Sequence, residues 1–418
     1  MHITHITNGR IFFNGEFTEK EILVQDGKIA KIANSISSST MSLASAEGEK
    51  IDARGLIVLP GLIDLHVHLR EPGFEHKEDF NTGGKAAVAG GIVHMFDMPN
   101  NKVPATTAEL LKKKIELAQN KNKRNKSTCK IGFYLGATTG NELEWKKLDK
   151  ELDFVGLKIY MGQTTGDLIV GNEKALDAHF SLFDSKRPIV VHAEDQKTIE
   201  KEGRTQGAAL AAVENATRLG KKYSKKLHIA HVSTGAEVEL VGKIYPKTTV
   251  ETCPHYLFIN QKELDSLGYL GGVNPPVRDN KTRQELWAHL ADIDCISTDH
   301  APHTLEDKKN GAKGYPGLET SLALMLDAYS RKLIRLDDVP KMMSENPAKI
   351  IGLKQNGEIK EGMNADFTIV DLRKEWVVRG EELETKCKWS PFEGRKLRGK
   401  NVKTIIDGKL VFEDGAIV

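Results

Sequence analysis

Cysteine is scarce in this chain, with four among 418 residues. Cys129, Cys253, Cys295 and Cys387 stand far apart and form no CxxC pair, which excludes a disulfide framework and a cysteine zinc site. Reduced thiols in a cytoplasmic enzyme are expected instead. Long apolar runs are also missing: none approaches the ~20 residues of a membrane span. The N-terminus carries His2, His5 and Arg10 where a signal peptide would be apolar, so a soluble, unexported protein is expected. Excess charge of one sign is absent as well. Lys and Arg number 60 against 58 Asp and Glu, a net charge of +2, which gives no ground for nucleic acid or an anionic membrane as partner. A small molecule is the expected partner.

What is present divides the chain into two styles. Up to about residue 55 short strands alternate with turns: Asn14-Gly15 and Asp26-Gly27, each between apolar runs, are strong hairpin signals. The Ser- and Ala-rich stretch from 35 to 49 reads as an exposed loop. Ala365 to Asp371 and Ile405 to Phe412 repeat the strand-and-turn style, so residues 1–55 and 356–418 are expected to build one small β domain together. Between them, over 56–355, apolar strand-like runs alternate with helical stretches, the pattern of βαβ units closing into a barrel. Lys112 to Lys126 reads as a solvated helical face and its loop.

The chemistry gathers at strand ends. With 14 histidines, chance alone supplies about half of one His-x-His pair, so the motif at His66 and His68 says little without its setting. In Asp64-Leu-His-Val-His-Leu-Arg70 the even positions are polar and the odd ones apolar, a period of two that predicts a strand. Two imidazoles at i and i+2, about 7 Å apart at the backbone, can converge on one ion. Three further apolar runs end in residues able to bind metal, namely His192, His231 and Asp299. Lys158 alternates with Leu157 and Ile159 in a strand expected to be buried. An ammonium there is costly to desolvate, so a partner, a shifted pKa or a modification is expected.

Several runs resemble the dihydroorotases of the amidohydrolase superfamily. They are Gly61 to Gly73, His76 to Phe80, Asp97-Met-Pro-Asn100, Leu157 to Tyr160, His192-Ala-Glu194, His228 to Val232, Asn274-Pro-Pro276, Asp299 to Thr304 and Gly314 to Thr320. The resemblance implies a distorted (β/α)8 TIM barrel with a small β-sandwich domain from both chain ends. It implies two zinc ions per subunit, bridged by a carbamylated Lys158 and a hydroxide. His66, His68 and Asp299 would hold one metal, and His192 and His231 the other. His228 is expected to face elsewhere. Asp299 would be the catalytic acid and base. Arg70, Asn100, Asn274 and His303, with the backbone near Tyr315 and Pro316, match positions that bind substrate in the family. A homodimer is left open.

The activity so implied is reversible hydrolysis of dihydroorotate to N-carbamoyl-L-aspartate, the third step of de novo pyrimidine synthesis. Hydantoinase or dihydropyrimidinase and allantoinase are the nearest alternatives. Their substrates lack a ring carboxylate for Arg70 to grip. A catalytically inactive scaffold homologue is a further alternative, against which all six metal-binding positions are present.

Overall fold

The computed structural model describes residues 2–37, 48–125, 129–148, 154–164 and 168–418. Asn14 and Gly15, with φ of 50° and 81°, adopt the left-handed backbone that a two-residue hairpin loop requires, as do Asp26 and Gly27 at 48° and 78°. They join Arg10–Phe13 to Glu16–Glu19, and Glu21–Gln25 to Lys28–Ala33. Most of the stretch from 35 to 49 lies outside the described residues. Its last two, Gly48 and Glu49, open a strand, Gly48–Asp52.

The N-terminal strands share a sheet with the C-terminal ones. Ile57–Pro60 pairs with Arg10–Phe13 on one side and with Phe367–Val377 on the other. Lys396–Ile406, Lys409–Glu413 and Ala416–Ile417 extend this seven-stranded sheet. A four-stranded sheet contains Ile3–Thr7, Glu21–Gln25, Lys28–Ala33 and Gly48–Asp52. Ile6, Ile22, Val24 and Ile51 from the smaller sheet pack with Ile11, Val58, Phe367, Ile369 and Ile405 from the larger in one buried cluster. Two sheets sharing an apolar layer make a β-sandwich.

Eight parallel strands form the remainder. They are Leu62–Val67, Ile92–Asp97, Lys130–Phe133 continuing as Leu135–Gly136, Leu157–Tyr160, Ile189–His192, Leu227–Ile229, Thr249–Thr252 and Cys295–Ile296. The ring closes through a bridge between Val67 and His300, where the His68 N–H donates to the His300 carbonyl at 2.7 Å. Helices return the chain between strands. Phe80–Ala89, for example, starts where the Asp79 carboxylate accepts the Asn81 and Thr82 N–H groups in a capping box. The barrel is distorted: between Gly136 and Leu157 the described residues hold only a 3-10 turn, Glu144–Lys147. No helix of the described residues is long and apolar enough to cross a membrane.

One end of the barrel is plugged. The Ser344 hydroxyl donates to the Gly61 carbonyl at 2.8 Å and the Asn346 amide to the Asp294 carbonyl at 2.8 Å, at the starts of the first and last strands. Ala348 packs there with Ile63, Leu65, Val190, Ala230 and Cys295. The C-terminal ends of the strands are left for a site, as in other barrels of this kind.

Candidate active site

At that open end lies a pocket of about 380 Å³. Eight of the residues expected from the sequence line it: His66, His68, Arg70, Asn100, His192, His231, Asn274 and Asp299. Tyr160, Thr164, Val273, Ala301, Lys313 and Gly314 complete the wall. The backbone reaches this arrangement less regularly than simple strand alternation predicts. Pairing with Ile92–Asp97 slips between Asp64 and Val67, and the strand ends at Val67. The Asp64 carboxylate sits in the slip, accepting the His66 and Thr298 N–H groups at 3.0 and 3.2 Å and the Thr298 hydroxyl at 2.6 Å. Likewise, His231 and Asp299 stand two and three residues beyond the ends of their strands. Arg70, His231 and Asp299 all have left-handed φ, of 65°, 42° and 45°. Non-glycine residues enter that region at a cost, and such strain gathers at functional sites.

Metal-binding atoms converge here. Asp299 Oδ1 lies 3.0 Å from His68 Nε2 and 3.4 Å from His66 Nε2. These three side chains form a buried group able to hold a metal ion. Alongside, His192 Nδ1 and His231 Nε2 are 2.9 Å apart, and the His66 and His231 rings stand 5.1 Å apart. Three imidazoles are held from behind. His66 Nδ1 meets the Glu251 carboxylate at 2.6 Å, His68 Nδ1 the Asn100 carbonyl oxygen at 2.7 Å, and His192 Nε2 the Glu194 carboxylate at 3.1 Å. An acceptor at one ring nitrogen keeps the proton there and leaves the other nitrogen's lone pair for a metal.

Glu251 is the principal residue that the sequence reading missed. Besides His66 it takes the His231 N–H at 3.2 Å and His228 Nε2 at 3.1 Å. Burial opposes its charge, but His66 and His228 hold the carboxyl well below its usual range. The sequence carried little signal for it: its strand, Thr249–Thr252, reads Thr-Val-Glu-Thr, and an acid in a run with two threonines does not look buried. His228 stands behind Glu251, outside the pocket lining. With Glu251 and Cys295 it makes a second group close enough for a metal. Yet its other nitrogen lies 2.9 Å from the Thr249 hydroxyl, so both ring nitrogens are engaged.

Burial sets the protonation of the site. It takes His66 down to about 4 and holds His68 and His231 well below the usual histidine value, so these imidazoles are neutral at pH 7, the form that binds metals. Lys158 is 0% exposed, and its Nζ has no hydrogen-bond partner among the described residues. Burial brings it down to about 8. Neutral imidazoles around a carboxylate suit a divalent ion, and an orphaned amine beside them suits conversion to an anion.

The pocket's other expected residues divide. Arg70 is 3% exposed, its Nε donating to the Pro302 carbonyl at 3.1 Å. No carboxylate of the described residues lies within ion-pair distance of it. Burial lowers it to about 10, so it stays a cation at neutral pH. His303 stands behind it, its Nε2 3.0 Å from Arg70 Nη2 and 3.0 Å from the Lys313 carbonyl, and does not line the pocket. Tyr315 and Pro316 do not line it either. The Tyr315 hydroxyl donates to the Gly271 carbonyl at 2.5 Å, while neighbouring Gly314 forms the wall.

A buried ion pair ties the Arg70 and Asn100 loops together. Asp97 accepts the Leu69 N–H at 2.8 Å and pairs with Lys114 at 2.7 Å. Lys114 also donates to the Met98 carbonyl and the Asn101 side chain, at 2.8 and 2.6 Å. The lysine-rich helix does present the solvated face its composition predicts, with Lys112 and Lys113 exposed, but two of its lysines turn inward: Lys114 is buried, and Lys121 pairs with buried Glu71. Lys126 lies outside the described residues. Lys114→Met would leave buried Asp97 without its cation, and should destabilise by about 3–5 kcal/mol. An unchanged thermal midpoint would show that the pair does not hold these loops.

Known proteins match this arrangement. The profile of the Amidohydrolase family matches residues 57–411. The chain belongs to the amidohydrolase family. A dihydroorotase of Pyrococcus abyssi is 41% identical over 98% of this chain and 95% of that protein. A dihydroorotase of Thermococcus kodakarensis is 38% identical over 99% of this chain and 95% of that protein. Among solved structures, the L-hydantoinase (dihydropyrimidinase) of Arthrobacter aurescens superimposes with a TM-score of 0.91 at 29% identity, covering 99% of this chain and 97% of that one. Relatives of both kinds act on cyclic amides, and this amidohydrolase is a hydrolase of the same class.

Proposed function

We propose that this amidohydrolase is a dihydroorotase, hydrolysing (S)-dihydroorotate to N-carbamoyl-L-aspartate and, in reverse, closing the ring in pyrimidine synthesis. Identity of 33–41% to several dihydroorotases over nearly the whole chain supports this reading. The carrying observation is Arg70, a buried guanidinium that faces the pocket without a carboxylate partner among the described residues. A buried cation of this kind requires an anion, and a guanidinium grips a carboxylate through two parallel hydrogen bonds. Dihydroorotate carries that carboxylate on its ring; hydantoin, dihydropyrimidines and allantoin carry none.

His66, His68 and Asp299 would hold one zinc ion, His192 and His231 a second, and Lys158 as its carbamate would bridge them. When bound, such a pair supplies Lewis acidity and a water acidic enough to ionise near neutral pH. The protein's own groups do the rest. Arg70 fixes the carboxylate end, with Asn100 and Asn274 on the pocket wall beside the ring. Asp299 takes the proton of the attacking water and passes it to the ring nitrogen as the C–N bond breaks. His303 acts by holding Arg70, and the backbone around Gly314 shapes the wall. The barrel over 56–355 carries all of these residues. The small domain from 1–55 and 356–418 finds support in the sheet that unites both ends, although Ile57–Pro60 lies in that sheet too.

The zinc-loaded enzyme should turn over dihydroorotate and leave hydantoin and allantoin untouched. Arg70→Met should lower kcat/KM by about 100-fold or more, mainly through KM, since a buried charged contact is lost. Turnover of hydantoin without dihydroorotate would overturn the assignment.

A further inference from the structure

Tyr160 ends the strand that carries Lys158 and lines the pocket two residues further along. The side chain is 2% exposed, and its hydroxyl is buried without a hydrogen-bond partner among the described residues. Buried hydroxyls are nearly always satisfied, so an orphan facing a ligand pocket points to the ligand as its partner. Nor is the ring free to turn toward water. It stands 5.2 Å from Lys158 Nζ and 6.0 Å from the His192 ring. The backbone of Tyr160 is paired with His192 on one side and bridged to Ile169 on the other.

Tyr160 lines the same pocket as Arg70, which would take an anion, and Asp299, which would carry the chemistry. A carboxylate has about four lone-pair sites, and a two-pronged guanidinium contact uses two of them. A neutral O–H lining the same pocket as the guanidinium complements the remainder. Its oxygen is favoured toward the cation and its hydrogen toward the anion. We propose that the Tyr160 hydroxyl donates a hydrogen bond to the substrate carboxylate beside Arg70, and so helps to select carboxylate-bearing cyclic amides. The inference rests on the dihydroorotase reading.

Tyr160→Phe keeps the ring and removes only the oxygen, so the fold is preserved. The probes are dihydroorotate as substrate, orotate as a carboxylate-bearing inhibitor, and 5,6-dihydrouracil, which has the ring without the carboxylate. In the zinc-loaded enzyme the KM for dihydroorotate and the Ki for orotate should each rise about ten- to a hundred-fold, the worth of a hydrogen bond to a charged group. The kcat should stay within about threefold, and dihydrouracil binding should not change. The ratio of the two inhibitor constants is independent of the fraction of active protein, so partial metal loss cannot imitate the result. Equal weakening of orotate and dihydrouracil, a fall in kcat at constant KM, or no change at all would each overturn the proposal. Turnover of dihydroorotate by the unmodified enzyme tests the underlying reading separately.

Discussion

Replacing Asp299 with asparagine should cut kcat about a thousand-fold or more while leaving the protein folded. The two side chains have the same shape, and asparagine tolerates the left-handed backbone found here at φ 45°. What disappears is a charge and a base. Asp299 Oδ1 is the only carboxylate oxygen near both His66 Nε2 and His68 Nε2, at 3.4 and 3.0 Å, among the described residues. An amide in its place cannot accept a proton from water, and it binds a divalent ion more weakly. Steady-state kinetics on protein of measured zinc content separates the two losses. If zinc is retained and kcat stays within tenfold of the unmodified enzyme, the proton passes through some other group.

Lys158 should be nearly as sensitive. Lys158→Ala removes the group proposed to join the metals, and an activity loss of about a thousand-fold is expected. Added propionate, a carboxylate small enough to enter the space vacated, should restore part of it. The unmodified protein offers a second test. Stripped of zinc and carbon dioxide, it should recover activity with zinc only when bicarbonate is also supplied. Burial lowers this amine to about 8, so its neutral, nucleophilic form grows as pH rises from 7 to 9. At constant dissolved carbon dioxide, reactivation should therefore quicken over that interval. Full recovery with zinc alone would contradict a carbamate at this position.

His192, His231 and Asp299 were legible in the sequence because each follows an apolar run, and His66, His68 and Lys158 because each alternates with apolar residues in a strand. Backbone details were less legible. Asp64 to Arg70 reads as unbroken alternation, but Asp64 draws two backbone N–H groups to itself and shifts the register, and Arg70 enters the pocket through a left-handed turn. Nothing in a period of two reports such a turn. Lys114 was hidden for another reason. In a helix rich in lysine, composition cannot tell which one meets a buried aspartate from a different element. Glu251 went unmarked because a single acid in a strand is conspicuous only once its histidine neighbours are known.

The seven-stranded sheet bears on how the chain is made. Ile57–Pro60 pairs with Arg10–Phe13, which precedes it in the chain, but its other neighbour, Phe367–Val377, lies about three hundred residues downstream. At roughly 5–20 residues per second, that edge stays unpaired for about 15–60 s of synthesis. Its four residues, Ile57, Val58, Leu59 and Pro60, are apolar and end in a proline, which lacks the N–H that an intruding strand would use. Pro60→Val would restore that donor, and its harm would fall on the nascent chain more than on the finished enzyme.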